Sequence, residues 1–231
     1  MITLVSIYPT LLGTYGDGGN VMALKHRAEL QGLDVEVVTV ESGEAVPESG
    51  DLYVMGGGED SAQTAASNAL RAGGAVKRAA ERGAAVFAIC AGYQLLGEYF
   101  PDATSTPTPG LGILDVRTDR LPKRAVGELA ASARDPLDQV LTGYENHAGA
   151  THLGPDATPL GMVKAGIGNG DGSEGALSGH IVGTYLHGPC LARNPQIADL
   201  LLGWAVGREL PFIEEPEVTA LREERLRTVL D

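Results

Sequence analysis

Two residues of this 231-residue chain have the types and settings for nucleophilic chemistry, Cys90 and His187. Cys90 lies in AAVFAICAGYQLLG, residues 84–97, where an unbroken apolar run passes through a small-residue turn into a helical pattern. Residues 84–89 have the length and apolarity of a strand buried on both faces of a parallel sheet. Gln94, Leu95 and Leu96 open the helix. Cys90 therefore falls at the strand-to-helix junction, the position that serine takes in a G-x-S-x-G nucleophile elbow. Amide dipoles of the following helix point at the sulfur and favour the thiolate. The plain alternative is a buried free cysteine at a strand end, and a base partner is what separates the two. HIVGTYLHGP, residues 180–189, offers that base: a strand over residues 181–186 stopped by Gly188 and Pro189, with His187 at its carboxyl end. Carboxyl ends of parallel strands share one edge, where ligands bind. Cys90 and His187 can meet there as the nucleophile and base of cysteine acyl chemistry.

LYVMGGGED, residues 52–60, adds a third element. A short buried strand ends in Gly56, Gly57 and Gly58, which leave backbone amides bare at the crevice. One of them, paired with the Ala91 amide, would form an oxyanion hole. TYGDGGN, residues 14–20, is glycine-rich but carries neither phosphate-loop signature, G-x-x-x-x-G-K-[ST] or G-x-G-x-x-G. It is read as a turn bordering the crevice or a partner surface. GYENHAG, residues 143–149, is read as an extended segment with Glu145 and His147 on opposite faces. With no further ligands in register, no metal site is expected. KAGIGNGDGSEG, residues 164–175, is read as a mobile hairpin loop.

The elements that must position these residues alternate through the first half of the chain. Strands are expected at residues 2–8, 35–40, 52–55 and 84–89, with helices at 18–31, near 60–82 and near 92–99. Such alternation implies an α/β, doubly wound, mostly parallel sheet flanked by helices with right-handed crossovers. From about residue 101 to 186 the pattern changes to short strands, ILDVR, GELAASA, GYENHAG and IVGTYLH, which suggests antiparallel additions. A helix follows Asn194 as cap with Pro195 at its first position. An amphipathic helix closes the chain over about residues 214–230. One domain, residues 1–231, is expected.

Composition narrows the function classes. The formal net charge is −13, with 30 acidic against 17 basic residues. That balance argues against nucleic acid or an anionic membrane surface as a partner. Two cysteines are too few for a disulfide framework, and Cys190 is read as a structural thiol. The start MITLVSIYPT has no basic n-region, and no apolar run approaches about 18 residues, so neither a signal peptide nor a membrane span is expected. The setting that fits is cytoplasmic.

AICAGYQLLG, YLHGP and MGGGED together resemble the class I (triad-type, flavodoxin-like) glutamine amidotransferases, in the branch related to cobyric acid synthase. YGDGGNVMALKHRAELQG, FAICAGYQLLGEYFP, GYENHAG and YLHGPCLARNPQIAD are similar to the glutaminase subunits of lipid II isoglutaminyl synthases. The likeness runs over roughly residues 2–208. It implies that Cys90 attacks the side-chain amide of L-glutamine while His187 carries the proton to the departing ammonia. It implies oxyanion amides at Gly57 and Ala91, with Gly58 as the adjacent alternative. Gln94 and Gly58 would lie beside the substrate, and Arg124 would grip its α-carboxylate bidentately. A surface arginine next to Lys123 is the alternative for Arg124.

The chain departs from that pattern twice. Ala88 stands where many relatives have glycine, and alanine is small enough for the elbow to form. Pro189 stands two residues after His187 where the triad glutamate is usual, so the orienting carboxylate is missing from its place. A dyad, a substitute from Asp17, Asp60 or Glu145, or an acid from a partner subunit remain open, with the partner expected. The resemblance further implies no cofactor on this chain. ATP and magnesium would act on a separate MurT-like Mur ligase subunit, which amidates the D-glutamate α-carboxylate of the lipid II stem peptide. An amidotransferase for another acceptor, such as a cobyrinic acid-type macrocycle, and a non-catalytic scaffold subunit are the competing readings.

Overall fold

A computed structural model describes residues 1–230. In chain order the elements are strand β1 (Ile2–Ile7), helix α1 (Gly19–Leu30), strands β2 (Val35–Val40) and β3 (Leu52–Met55), helices α2 (Asp60–Gly73) and α3 (Ala75–Glu81), strand β4 (Ala85–Ile89) and helix α4 (Ala91–Leu96). Then come the small strands β5 (Tyr99–Pro101) and β6 (Pro107–Pro109), the long strands β7 (Val116–Ala133) and β8 (Leu141–Leu153), and β9 (Gly161–Ala165), β10 (Ser173–Glu174), β11 (Ala176–Ser178) and β12 (Ile181–Thr184). Helices α5 (Cys190–Arg193), α6 (Pro195–Val206) and α7 (Pro216–Leu230) complete the chain.

The central sheet has the order β11-β12-β4-β3-β1-β2, parallel throughout except for β11. Residues 85–89 of β4 are buried without exception, as are Leu52–Met55 of β3 and Ile181–Thr184 of β12. A strand with helices over both faces has no wet side, which is why these three read as continuous apolar runs rather than alternating ones. α1 packs against α6, and α2 against α4. Chain direction in the sheet runs outward both ways from β1, to β2 on one side and to β3, β4 and β12 on the other. This is a doubly wound arrangement, and β4 has β3 and β12 as its neighbours. Cys90, the glycine run and the segment leading to His187 therefore leave the sheet at the same edge.

A second, antiparallel sheet, β10-β9-β7-β8, stands beside it. The short strands expected from ILDVR and GELAASA are one continuous strand, β7, bent where its pairing with β8 shifts between Arg120 and Ala125. Leu121, Pro122 and Lys123 occupy that irregular stretch, where proline needs no ladder donor. The helix expected over residues 60–82 is broken by Gly74, which turns left-handed at φ 66° and separates α2 from α3. α7 buries none of its side chains fully, but Val218, Leu226 and Val229 are half-buried at helical spacing along one side. Arg222 bonds the carbonyls of Val140 and Arg193, and Arg225 bonds Glu128.

Candidate active site

Cys90 has φ 52° and ψ −109°, a conformation that non-glycine residues rarely adopt. Such strain persists only where the surroundings over-determine it. Here the Cys90 amide donates to the Thr184 carbonyl of β12 at 2.8 Å, and the Cys90 carbonyl accepts from the Gln94 amide in α4. Gly92 allows the turn to close on β3: its amide bonds the Gly56 carbonyl, and a Cβ there would lie 2.8 Å from that oxygen. The elbow forms with Ala88, fully buried in β4, in the place of glycine.

His187 is buried and anchored to β8, because its amide and carbonyl exchange hydrogen bonds with Tyr144. It lies against Cys90: a Cβ built on Gly57 would be 2.9 Å from His187 Cε1 and 3.2 Å from Cys90 Cβ. The orienting acid is in this chain. Asp17 Oδ1 is 3.1 Å from His187 Nδ1, and both side chains are buried. The expectation that a partner subunit supplies this group is therefore corrected. Asp17 comes from the TYGDGGN turn at the carboxyl end of β1, 170 residues from His187. Of the other two substitutes considered, Asp60 pairs with Arg120, and Glu145 accepts from the Ile167 and Gly168 amides.

Burial opposes a proton on His187, but the Asp17 carboxylate and the neighbouring Cys90 sulfur outweigh it and raise the imidazole to about 10. Nε2, the nitrogen not committed to Asp17, has no hydrogen-bond partner among the described residues.

Of the amides expected to meet an oxyanion, that of Gly57 faces Asp17. Gly57 N–H donates to Asp17 Oδ2 at 2.7 Å, so that amide is already engaged. Asp17 thus holds the base with one oxygen and the glycine loop with the other. Gly58 and Ala91, by contrast, line the cleft with Cys90. Close packing explains the loop's composition, since a Cβ on Gly56 would fall 2.1 Å from the Leu12 carbonyl oxygen.

The rest of the cleft is polar. Gln94 lies in its wall, its amide oxygen accepting from Gln63 at 2.8 Å and its nitrogen donating to Tyr185. Arg124 reaches in from β7: Nε donates to Asn146 Oδ1 at 2.7 Å and Nη2 to the Tyr15 hydroxyl at 3.3 Å. The Asn146 carbonyl also receives the Cys90 thiol at 3.9 Å, which ties nucleophile and guanidinium to one residue of β8. The structure therefore brings Cys90, Ala91, Gln94, Gly58 and Arg124 to one cleft, with His187, Asp17 and Gly57 behind it. A larger surface cavity lined by Leu200, Trp204 and Phe212 shares no residue with this one.

These observations can be set beside known proteins. Residues 3–195 match the family of CobB/CobQ-like glutamine amidotransferase domains. This chain is a glutamine amidotransferase. It is 35% identical over 234 residues to the lipid II isoglutaminyl synthase (glutamine-hydrolyzing) subunit GatD of Staphylococcus aureus, covering 99% of this chain and 94% of that one. With the GatD subunit of Streptococcus pneumoniae it shares 34% identity over 213 residues, 90% of this chain and 82% of the other. Among solved structures, one described as a glutamine amidotransferase superposes with a TM-score of 0.59 over 87% of this chain and 98% of its own, at 20% identity, a likeness of fold.

Several features of the amidotransferase differ from the expectations or add to them. Glu145 and His147 do not lie on opposite faces of GYENHAG. Residues two apart on a strand share a face, and both are buried, with His147 Nε2 3.3 Å from Glu145 Oε2. His147 stacks on Tyr185 at 3.6 Å. The KAGIGNGDGSEG segment is tied down, because Glu145 captures the amides of Ile167 and Gly168. Tyr15, Asn146 and Gln63 were not singled out. For Tyr15 the available signal is its place two residues before Asp17 in a turn at a parallel-sheet edge.

Proposed function

We propose that this amidotransferase is the glutaminase subunit of a lipid II isoglutaminyl synthase. The observation that carries the chemistry is a cysteine held at positive φ beside a histidine whose Nδ1 faces a buried aspartate. In this reading Cys90 passes its thiol proton to His187 Nε2 and its Sγ attacks the γ-carboxamide carbon of L-glutamine, and the oxyanion is met by the Ala91 and Gly58 amides. His187, oriented by Asp17, gives its Nε2 proton to the nitrogen as the C–N bond breaks, which releases ammonia and leaves a thioester. Water, deprotonated by the same nitrogen, then cleaves the thioester to glutamate and restores the thiolate. Arg124 holds the α-carboxylate, and Gln94 lies beside the substrate.

The acceptor reading rests on the two GatD relatives, which are named as subunits of an enzyme that makes isoglutaminyl lipid II. Ammonia from this chain would pass to a MurT-like Mur ligase subunit. ATP and magnesium on that subunit would activate the D-glutamate α-carboxylate, and this chain itself would need no cofactor. The test is co-expression with the candidate ligase, followed by labelling with 6-diazo-5-oxo-L-norleucine. The expected result is one adduct, on Cys90, together with glutamine-dependent formation of isoglutaminyl lipid II in the presence of ATP. Ammonia release from glutamine that survives Cys90→Ala would overturn the mechanism. Amidation of a different acceptor would overturn the assignment to lipid II.

A further inference from the structure

Glutamine is a zwitterion, and the cleft contains a charge that the chemistry above leaves unused. Glu59 lines the cleft with Cys90 and Arg124. It occupies the N-cap position of α2, yet its carboxylate makes no capping bond to the helix amides. Its one side-chain hydrogen bond among the described residues comes from the Tyr15 hydroxyl, at 3.4 Å. That same hydroxyl accepts from Arg124 Nη2 at 3.3 Å. Arg124, Tyr15 and Glu59 therefore form a line of cation, hydroxyl and anion across the mouth of the cleft. The Tyr15 ring packs edge-on to His187, with centroids 5.0 Å apart, so the line passes directly over the catalytic base. Asp60, the neighbouring acid, is already compensated by Arg120 at 3.2 Å.

We infer that Glu59 binds the α-ammonium of the substrate, and that with Arg124 and the bridging Tyr15 it selects free glutamine over amides that lack an adjacent amine. This rests on the glutaminase reading and adds to it the residue that decides which γ-amides are accepted. Two charges of opposite sign, spaced by one hydroxyl, complement a carboxylate and an ammonium borne on a single carbon. A peptide-linked glutamine or an ω-amide without the amine would leave Glu59 facing the cleft with no counter-charge, and pairing lost at a recognition site is what produces discrimination. Because Glu59 is exposed, replacing it leaves the packed core untouched.

The experiment compares glutamine with glutaramate, which has the same γ-carboxamide and carboxylate but no amine, in the wild type and in Glu59→Gln. Ammonia release is measured with the chain alone and with its co-expressed partner. For the wild type, kcat/KM should favour glutamine by at least about tenfold, the order expected of one charge-assisted contact. Glu59→Gln should raise KM for glutamine by about tenfold with kcat nearly kept, leave glutaramate unchanged, and so bring the ratio of the two substrates near one. An unchanged ratio in Glu59→Gln overturns the assignment to Glu59 while glutamine hydrolysis by the wild type still stands. A wild type that cleaves both substrates equally well rejects the clamp alone, whereas one that cleaves neither rejects the glutaminase reading along with it.

Discussion

Cys90 and Arg124 line one cleft but belong to different sheets, and they are held by different means. Cys90 is fixed by backbone: a strained φ, an amide bonded to β12, and glycines that let β3 press against the turn. Arg124 is fixed by side chains, through Asn146 and Tyr15, from an irregular stretch of an exposed strand. The parallel edge thus sets atom positions to the tolerance that bond-making needs. In the proposed function the antiparallel sheet would supply recognition through Arg124, which tolerates small displacements. Errors on the parallel side should cost rate, and errors on the antiparallel side should cost affinity.

The sharpest test of that division is Asp17→Asn, which keeps size but removes the charge beside His187. Orienting carboxylates in other triads lose on the order of 10⁴ in rate on this change. A loss of kcat of at least about 10³, with KM for glutamine little altered, is expected by steady-state ammonia release. Since the Asp17 carboxylate helps raise His187 to about 10, the alkaline limb of the pH–rate profile should also move to lower pH. A profile that keeps its alkaline limb would remove Asp17 from the role of orienter. The same shift bears on stability. A raised folded value for a histidine means stability that is full below about pH 6.5 and fades as pH rises toward 10, so the variant should lose this slope in denaturant titrations.

Arg124→Ala probes the other side. About 100-fold in kcat/KM is the expected loss, nearly all of it in KM, because a bidentate partner for a carboxylate binds substrate and transition state alike. A fall in kcat of equal size would break the comparison, since it would give Arg124 itself a part in bond-making.

The smallest effect lies at the seam between the sheets. Glu174 of β10 is fully buried, accepts from Thr184 Oγ1 and the Tyr185 amide, and leaves Oε2 unpartnered among the described residues. Burial lifts its carboxyl to about 7. A carboxyl with a raised folded value contributes stability below its unfolded value near 4.5 and loses it as pH rises through 7. Glu174→Gln should flatten that slope between pH 5 and 8, for a gain of about 1–3 kcal/mol at the upper end. An unaltered slope would show that another group carries it.

What could be seen in the residues beforehand divides along the same line. The elbow at Cys90 is local: an apolar run, a small-residue turn and a helical pattern lie within fourteen consecutive residues, so the strand, the turn and the burial of β4 were all legible. The meeting of Cys90 with His187 followed from a general property of parallel sheets. The orienting acid did not, because the link between Asp17 and His187 spans the molecule and no spacing signals it. Nor could the state of the Gly57 amide be read from three consecutive glycines, since which of them faces the cleft depends on where the Asp17 carboxylate comes to rest. In the second half, the unity of β7 was hidden by Pro122, a residue that usually ends strands but here sits where the ladder is already out of step. The facing of Glu145 and His147 was legible in principle, from strand periodicity alone.

The exchange of amide and carbonyl between Tyr144 and His187 has a mechanical meaning. The His187 backbone is joined to the long β7–β8 ribbon as well as to the parallel sheet from which its segment emerges. A shift of that ribbon would therefore carry the His187 backbone with it, so the two sheets cannot slide past each other without moving this side chain.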